Sequence, residues 1–286
     1  MDASFFIARK LHFKGKIAMV CIAVSFLVMI IAVAVSSGYR NEIRKGLSAI
    51  AGDVLLTRPD QNLFNEEAPI EASPAYLPCV EAVPSVAEVI PTVYRSGIVK
   101  QGDDMYGVVL KGLPDGPARD SVPLGVSVSS RFAEKTGLKV GDRMLTYFVG
   151  EKVKVRQFTV AGIHEALVET DDRHLVYASN ADLQRLNGWE EDQVSAIEII
   201  LRRNDIDEDH IREAARDIGA AILACSSEDE ESVVAVSSVS RFPALFTWLD
   251  LVDFNVFILR QAGAHTQEGH SNKAESCCFF RPRSGV

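Results

Sequence analysis

The residues best equipped for chemistry in this 286-residue chain gather between positions 164 and 174. His164-Glu165 and His174 flank Glu169, Asp171 and Asp172, and imidazole nitrogens with carboxylate oxygens are the ligand set of a zinc-type site. An ordinary polar surface carries the same residues. No His-Glu-x-x-His or Cys-x-x-Cys spacing, no Walker A loop and no Gly-x-Ser-x-Gly elbow occurs to fix a geometry. The expectation is a protein that is not an enzyme, with no catalytic, cofactor-binding or metal residue.

The five cysteines follow no metal spacing: Cys21 lies in an apolar run, Cys79 and Cys225 are isolated, and Cys277-Cys278 sit near the C-terminus. Cys79 and Cys225 could pair in an oxidising compartment, and two separated residues suit free buried thiols as well. A formal charge of −9 argues against nucleic acid as a partner, because phosphate neutralisation needs clustered Lys and Arg, found here only near the N-terminus.

The element that must position everything else is Ile17 to Val35, nineteen consecutive uncharged residues in which Ser25 is the polar interruption. As a helix it reaches roughly 28 Å at about 1.5 Å per residue, close to the ~30 Å hydrocarbon thickness of a bilayer. Arg9, Lys10, Lys14 and Lys16 precede it against Asp2, so the positive-inside bias leaves the N-terminus cytoplasmic and the following chain outside. A cleaved signal with Ala32-Val33-Ala34 as its processing site is the alternative, but its apolar core would run only about 7 to 15 residues. Tyr39, Ile43, Leu47 and Ile50 form one helical stripe beyond the run, which extends the helix to about residue 51 before Gly52.

Downstream, mixed short elements predict an α+β domain of mainly antiparallel strands. Val86 to Val99 and Met105 to Leu110 bracket the turn Gln101-Gly102-Asp103-Asp104, and Arg143 to Val149 and Lys152 to Val160 bracket Gly150-Glu151. Arg58 to Pro74 reads as a loop. Helices are expected over Tyr76 to Val83, after a Ser129 cap with Gly137 as its stop, near Ala181 to Leu186, and from Asp207. Strands are expected at His174 to Tyr177 and Ser195 to Leu201. The domain organisation is a cationic leader over 1–16, a membrane helix over 17–38, an extracytoplasmic domain over 52–240, and a helix over 241–259 returning to the membrane.

Phe6-Ile7-Ala8-Arg9, the helix exit Ser37-Gly38-Tyr39-Arg40-Asn41-Glu42-Ile43, the Gly137-Leu138-Lys139-Val140-Gly141-Asp142 turn with Val160-Ala161-Gly162-Ile163, and Phe242-Pro243-Ala244-Leu245-Phe246-Thr247-Trp248-Leu249 occur in an order that resembles ABC-transporter permeases of the MacB and FtsX type. The likeness is nearest to the LolC/LolE lipoprotein-releasing branch and covers roughly residues 5 to 256. It implies an inner-membrane subunit without its own ATPase and a MacB-like periplasmic core domain. The partners it implies are an ABC ATPase that binds the ATP, a second permease or a copy of this chain, lipoprotein cargo, a periplasmic carrier and membrane lipids. It also implies that Val28, Ile31, Val35 and Tyr39, on the outer half of the first helix, face cargo. Export of a small molecule or peptide is the alternative within the family, and a single-pass binding or sensor protein the alternative outside it. Arg260 to Val286 has no apolar period and reads as an out-of-frame tail following an interrupted second membrane helix.

Overall fold

The computed structural model describes residues 3–59, 69–117, 122–150, 153–166, 174–202, 207–227, 231–248 and 251, without the side chains at 3–18, 21, 36, 37, 40 and 41. The chain divides into two compact units, Met1–Glu42 with Ala244–Val286, and Ile43–Pro243. The expected tail over 260–286 and most of the returning segment lie outside the described residues.

In the first unit helix α1 (Ala3–Ala51) carries the apolar run, and its described side chains from Met19 to Val35 are exposed or half-exposed on all sides. Among the described residues no helix is long and apolar enough to cross a membrane. The run Ile17 to Val35 includes positions 17, 18 and 21, so the described side chains continue unbroken only from Ile22 to Val35. Residues 243–248 are helical, and there the Trp248 ring meets Tyr39 edge to face with centroids 5.7 Å apart.

The second unit begins with the last turns of α1. It continues through β1 (Val54–Thr57), β2 (Ile70–Glu71), α2 (Leu77–Glu81), β3 (Val86–Thr92), β4 (Tyr94–Gln101) and β5 (Asp104–Leu113). Next come β6 (Gly125–Ser129), α3 (Ser130–Thr136), β7 (Arg143–Phe148), β8 (Lys154–His164), β9 (His174–Ser179) and α4 (Asn180–Asn187). It closes with β10 (Gln193–Val194), β11 (Ala196–Leu201), α5 (Glu208–Cys225), β12 (Val234–Ser237) and α6 (Ser238–Arg241). Two modules result: a four-stranded sheet in the order β12-β1-β11-β3, and a closed barrel in the order β4-β5-β9-β6-β8-β7. The pairings are mainly antiparallel, with β5–β9 and β6–β8 parallel.

Local sequence explains many boundaries. Ser129 accepts a hydrogen bond from the Phe132 amide to start α3, and Gly137 ends it at φ +73, a left-handed conformation that costs glycine little. The β4–β5 hairpin turns at Gly102, also left-handed. The expected continuous strand over Val86 to Val99 is corrected: it breaks at Val93, placing β3 at the edge of the sheet and β4 in the barrel. Pro91, lacking an N–H, is tolerated on that edge strand. Asn180 spans the break, donating to the Pro91 carbonyl at 2.8 Å and accepting from the Val93 amide at 3.1 Å. The loop expected from Arg58 to Pro74 is corrected too, since Ile70–Glu71 pairs with β10.

Met144, Thr146 and Phe148 alternate inward along β7, where Phe148 meets Phe158 of β8 edge to face at 6.2 Å. Cys79 of α2 and Cys225 at the end of α5 form a disulfide across 146 residues, which resolves the two readings of these cysteines.

Candidate functional site

Of the region that looked most chemical in the sequence, the described residues do not assemble into a site. His164 and His174 end β8 and begin β9 respectively, and Glu169, Asp171 and Asp172 lie outside the described residues. His164 Nδ1 is 3.0 Å from Ser127 Oγ, and its ring lies 4.5 Å from that of Tyr177. Buried His174 packs against Phe132 with ring centroids 4.7 Å apart. Among the described residues no group of His, Cys, Asp and Glu is arranged to hold a metal ion.

The unusual chemistry is instead at the end of α1. An α-helix leaves its last four carbonyls without helical partners. Here Ser48 O accepts from the Gly52 amide at 2.8 Å, and the next three carbonyls face polar side chains of distant elements. Lys111 Nζ of β5 donates to Ala49 O at 2.8 Å, the Tyr94 hydroxyl of β4 lies 3.2 Å from Ile50 O, and Arg241 Nη2 of α6 donates to Ala51 O at 2.7 Å. Arg241 also reaches Gly52 O at 3.4 Å.

Glu198 of β11 completes the cluster. Its Oε2 accepts from Lys111 Nζ at 2.8 Å and its Oε1 accepts from the Tyr94 hydroxyl. Lys111 and Glu198 are nearly free of solvent, at 5% and 1% side-chain exposure, so this is a buried ion pair and not a surface one. Tyr94, Leu55, Val109, Ala196, Ala51 and Ile50 pack an apolar shell beside it. Burial pushes the Glu198 carboxyl up and the Lys111 ammonium down, and each charge pulls the other back toward ionisation. Burial and the neighbouring carboxylate hold the Tyr94 phenol well above its ordinary value, and burial lowers Arg241. Two cations facing the carbonyl end of a helix also complement the negative pole of its dipole.

The chain around this end has little room to shift. Gly52 turns left-handed at φ +66, and a Cβ there would lie 3.1 Å from Glu198 Cβ and 3.2 Å from Ile199 N. Asp53 N then donates to Ile199 O at 3.0 Å, while its carboxylate accepts from the Leu201 amide at 2.9 Å. Two turns before the helix ends, Arg44 reaches Glu208 of α5 at 3.4 Å. The arrangement fixes the end of a long helix to the barrel through β4 and β5 and to the sheet through β11.

Sequence reasoning passed over Lys111, Glu198 and Arg241. The signal was available: Val108-Val109-Leu110-Lys111-Gly112-Leu113 and Ala196-Ile197-Glu198-Ile199-Ile200 each set one charge inside an otherwise apolar strand. A charge in such a run requires a partner when the strand is buried. By contrast Val28, Ile31, Val35 and Tyr39 lie at helical spacing on α1 and are all exposed.

A family model described as the MacB-like periplasmic core domain matches residues 17–221. The chain belongs to that family. No curated protein matches it. Among solved structures, the MacB-like chain is similar to the periplasmic region of MacB from Actinobacillus actinomycetemcomitans, at 11% identity and a TM-score of 0.41, covering 67% of this chain and 91% of that one. It is also similar to the extracellular domain of the noncanonic ABC-type transporter YknZ from Gram-positive bacteria, at 12% identity and a TM-score of 0.37, covering 64% and 99%. At those scores the membership rests on the family model, and its matched span takes in the whole of α1 from position 17, the anchored turn and the helix α5 as far as 221.

Proposed function

We propose that this chain is a permease-type membrane subunit of an ABC transporter that releases lipoproteins from the inner membrane, using ATP hydrolysed on a separate subunit. The observation that carries the reading is the continuity of a MacB-like periplasmic core domain with a helix whose apolar side chains are exposed all round. A helix apolar on every face is stable in a protein core or in lipid, and the described side chains of this one from Met19 to Val35 are exposed or half-exposed. In this reading Ile17 to Val35 spans the bilayer with the N-terminus in the cytoplasm. The Tyr39–Trp248 pair then falls at the outer interface, where aromatic rings with one polar edge are favoured.

The Cys79–Cys225 disulfide agrees with a domain held in an oxidising compartment. Lipoprotein as the cargo follows from the LolC/LolE-like order of the motifs from Phe6 to Trp248. Val28, Ile31, Val35 and Tyr39 form the cargo-facing stripe, with a second permease, or a copy of this chain, closing the other side. The cytoplasmic ATPase, a periplasmic carrier and lipid complete the set of partners.

Depletion of the protein in its native cell tests the function. Lipoproteins destined for the outer membrane are expected to accumulate in the inner membrane. Unchanged lipoprotein sorting, with loss of resistance to an exported compound or loss of a secreted peptide, would transfer the chain to the small-molecule or peptide exporters of the family.

A further inference from the structure

We propose that Lys111, Glu198, Tyr94 and Arg241 are positioning residues of the transport cycle: they lock the last turn of α1 to both β-modules, so that loosening them uncouples ATP hydrolysis from cargo release. The proposal rests on the transporter reading above and deepens it by naming the joint.

Three features of the cluster point beyond simple packing. First, the partners come from elements far apart in sequence, with Lys111, Tyr94 and Arg241 separated by 62, 44 and 190 residues from the carbonyls they meet. A cap made for local helix stability uses residues within a turn or two of the helix end, typically a following glycine and a Schellman bond. Gly52 already supplies the local stop, so the three long side chains add attachment and not termination.

Second, an ion pair is a poor means of stabilising a fold. Taking two charges out of water costs nearly as much as their attraction returns, and well-packed apolar replacements are often neutral or better. What a satisfied buried pair does supply is direction, because its hydrogen bonds exist in one geometry only. Glu198 holds Lys111 with one oxygen and Tyr94 with the other, and both of these then meet successive carbonyls of the same helical turn.

Third, the joint bridges the two modules. Tyr94 and Lys111 belong to adjacent barrel strands and lie directly opposite each other in the β4–β5 register. Glu198 belongs to β11, a central strand of the sheet, and pairs with Leu55 of β1, which follows α1 by a few residues. A rotation or axial shift of α1 relative to either module breaks charge-assisted hydrogen bonds that are shielded from water and cannot be replaced by it.

The test uses the full chain assembled with its partner subunits in lipid nanodiscs. Lys111→Met with Glu198→Gln removes both charges of the ion pair together; Tyr94→Phe removes one hydroxyl and serves as the mild variant. Hydrogen exchange at residues 49–53 reports on the joint, and exchange in β4 to β9 reports on the fold. In the double variant the amides of residues 49–53 are expected to exchange about tenfold faster or more while those of the barrel keep their wild-type protection. ATP hydrolysis is expected to stay within about twofold of wild type while ATP-dependent release of a labelled lipoprotein falls by about tenfold, with Tyr94→Phe between the two. Wild-type exchange at residues 49–53, or release that keeps pace with hydrolysis in the double variant, overturns the proposal. If the wild-type assembly itself shows no ATP-dependent release, the transporter reading is what fails, and the exchange data still decide whether the joint holds the helix.

Discussion

Cys79 and Cys225 are joined by a disulfide that fastens α2 to the C-terminal end of α5, closing a loop of 146 residues. Cross-linking so long a loop removes chain entropy from the unfolded state worth about 5 kcal/mol at most, with typical measured effects of 2–4. Replacing both residues by serine is expected to lower stability by a few kcal/mol. Denaturant unfolding with and without reductant checks it, because reduction should bring the wild type down to the level of the double variant.

The Lys111–Glu198 pair predicts strong non-additivity. Lys111→Met alone strands a buried carboxylate, and Glu198→Gln alone strands a buried ammonium, each costing about 3–5 kcal/mol. Combined, the two substitutions should cost much less than their sum, so a double-mutant cycle by denaturant unfolding should return a coupling of roughly 2–3 kcal/mol. Additive losses would mean that the pair is solvated.

Gly97 of β4 faces β7 with no space for a side chain: a Cβ there would lie 2.8 Å from Thr146 Cγ2 and 2.9 Å from Phe148 Cε1. Both neighbours are fully buried, so they cannot swing into solvent. Gly97→Ala is expected to destabilise by about 1–3 kcal/mol through overpacking. Gly102→Ala meets open space but keeps a left-handed φ, so its cost, read from the same melting curves, should come from the backbone alone.

Asp207 caps α5 by accepting from the His210 amide at 2.8 Å, which holds its carboxyl below the ordinary value of 3.8. A depressed folded-state value means that the contribution is present above 3.8 and is lost as pH falls through and below it. The difference in melting temperature between wild type and Asp207→Ala should therefore shrink as the pH falls through and below that value. A difference that does not change with pH would assign the cap to the oxygen alone, whatever its charge.

Local signals carried much of the fold. The β4–β5 and β7–β8 hairpins, the capped α3 and the amphipathic α5 all follow from short-range pattern and turn chemistry, as their Ser129, Gly137 and Asp207 contacts show. Barrel closure was hidden because it depends on the parallel pairs β5–β9 and β6–β8, which join strands remote in sequence. Two-residue strands such as β2 and β10 are too short to show a period. The break at Val93 was hidden as well, since Asn180, 87 residues later, supplies the hydrogen bonds that the departing backbone needs. The joint at the end of α1 combines both difficulties, with Lys111 and Glu198 each legible as an isolated buried charge and their meeting legible only in three dimensions.

Association with an ABC ATPase tests the central claim most directly. Affinity purification of this protein from gently solubilised native membranes should retain, in fixed ratio and through a salt wash, a subunit bearing a Walker A loop, and the isolated assembly should hydrolyse ATP. Recovery of the protein without any such ATPase, with no hydrolysis above that of control membranes, would contradict the account.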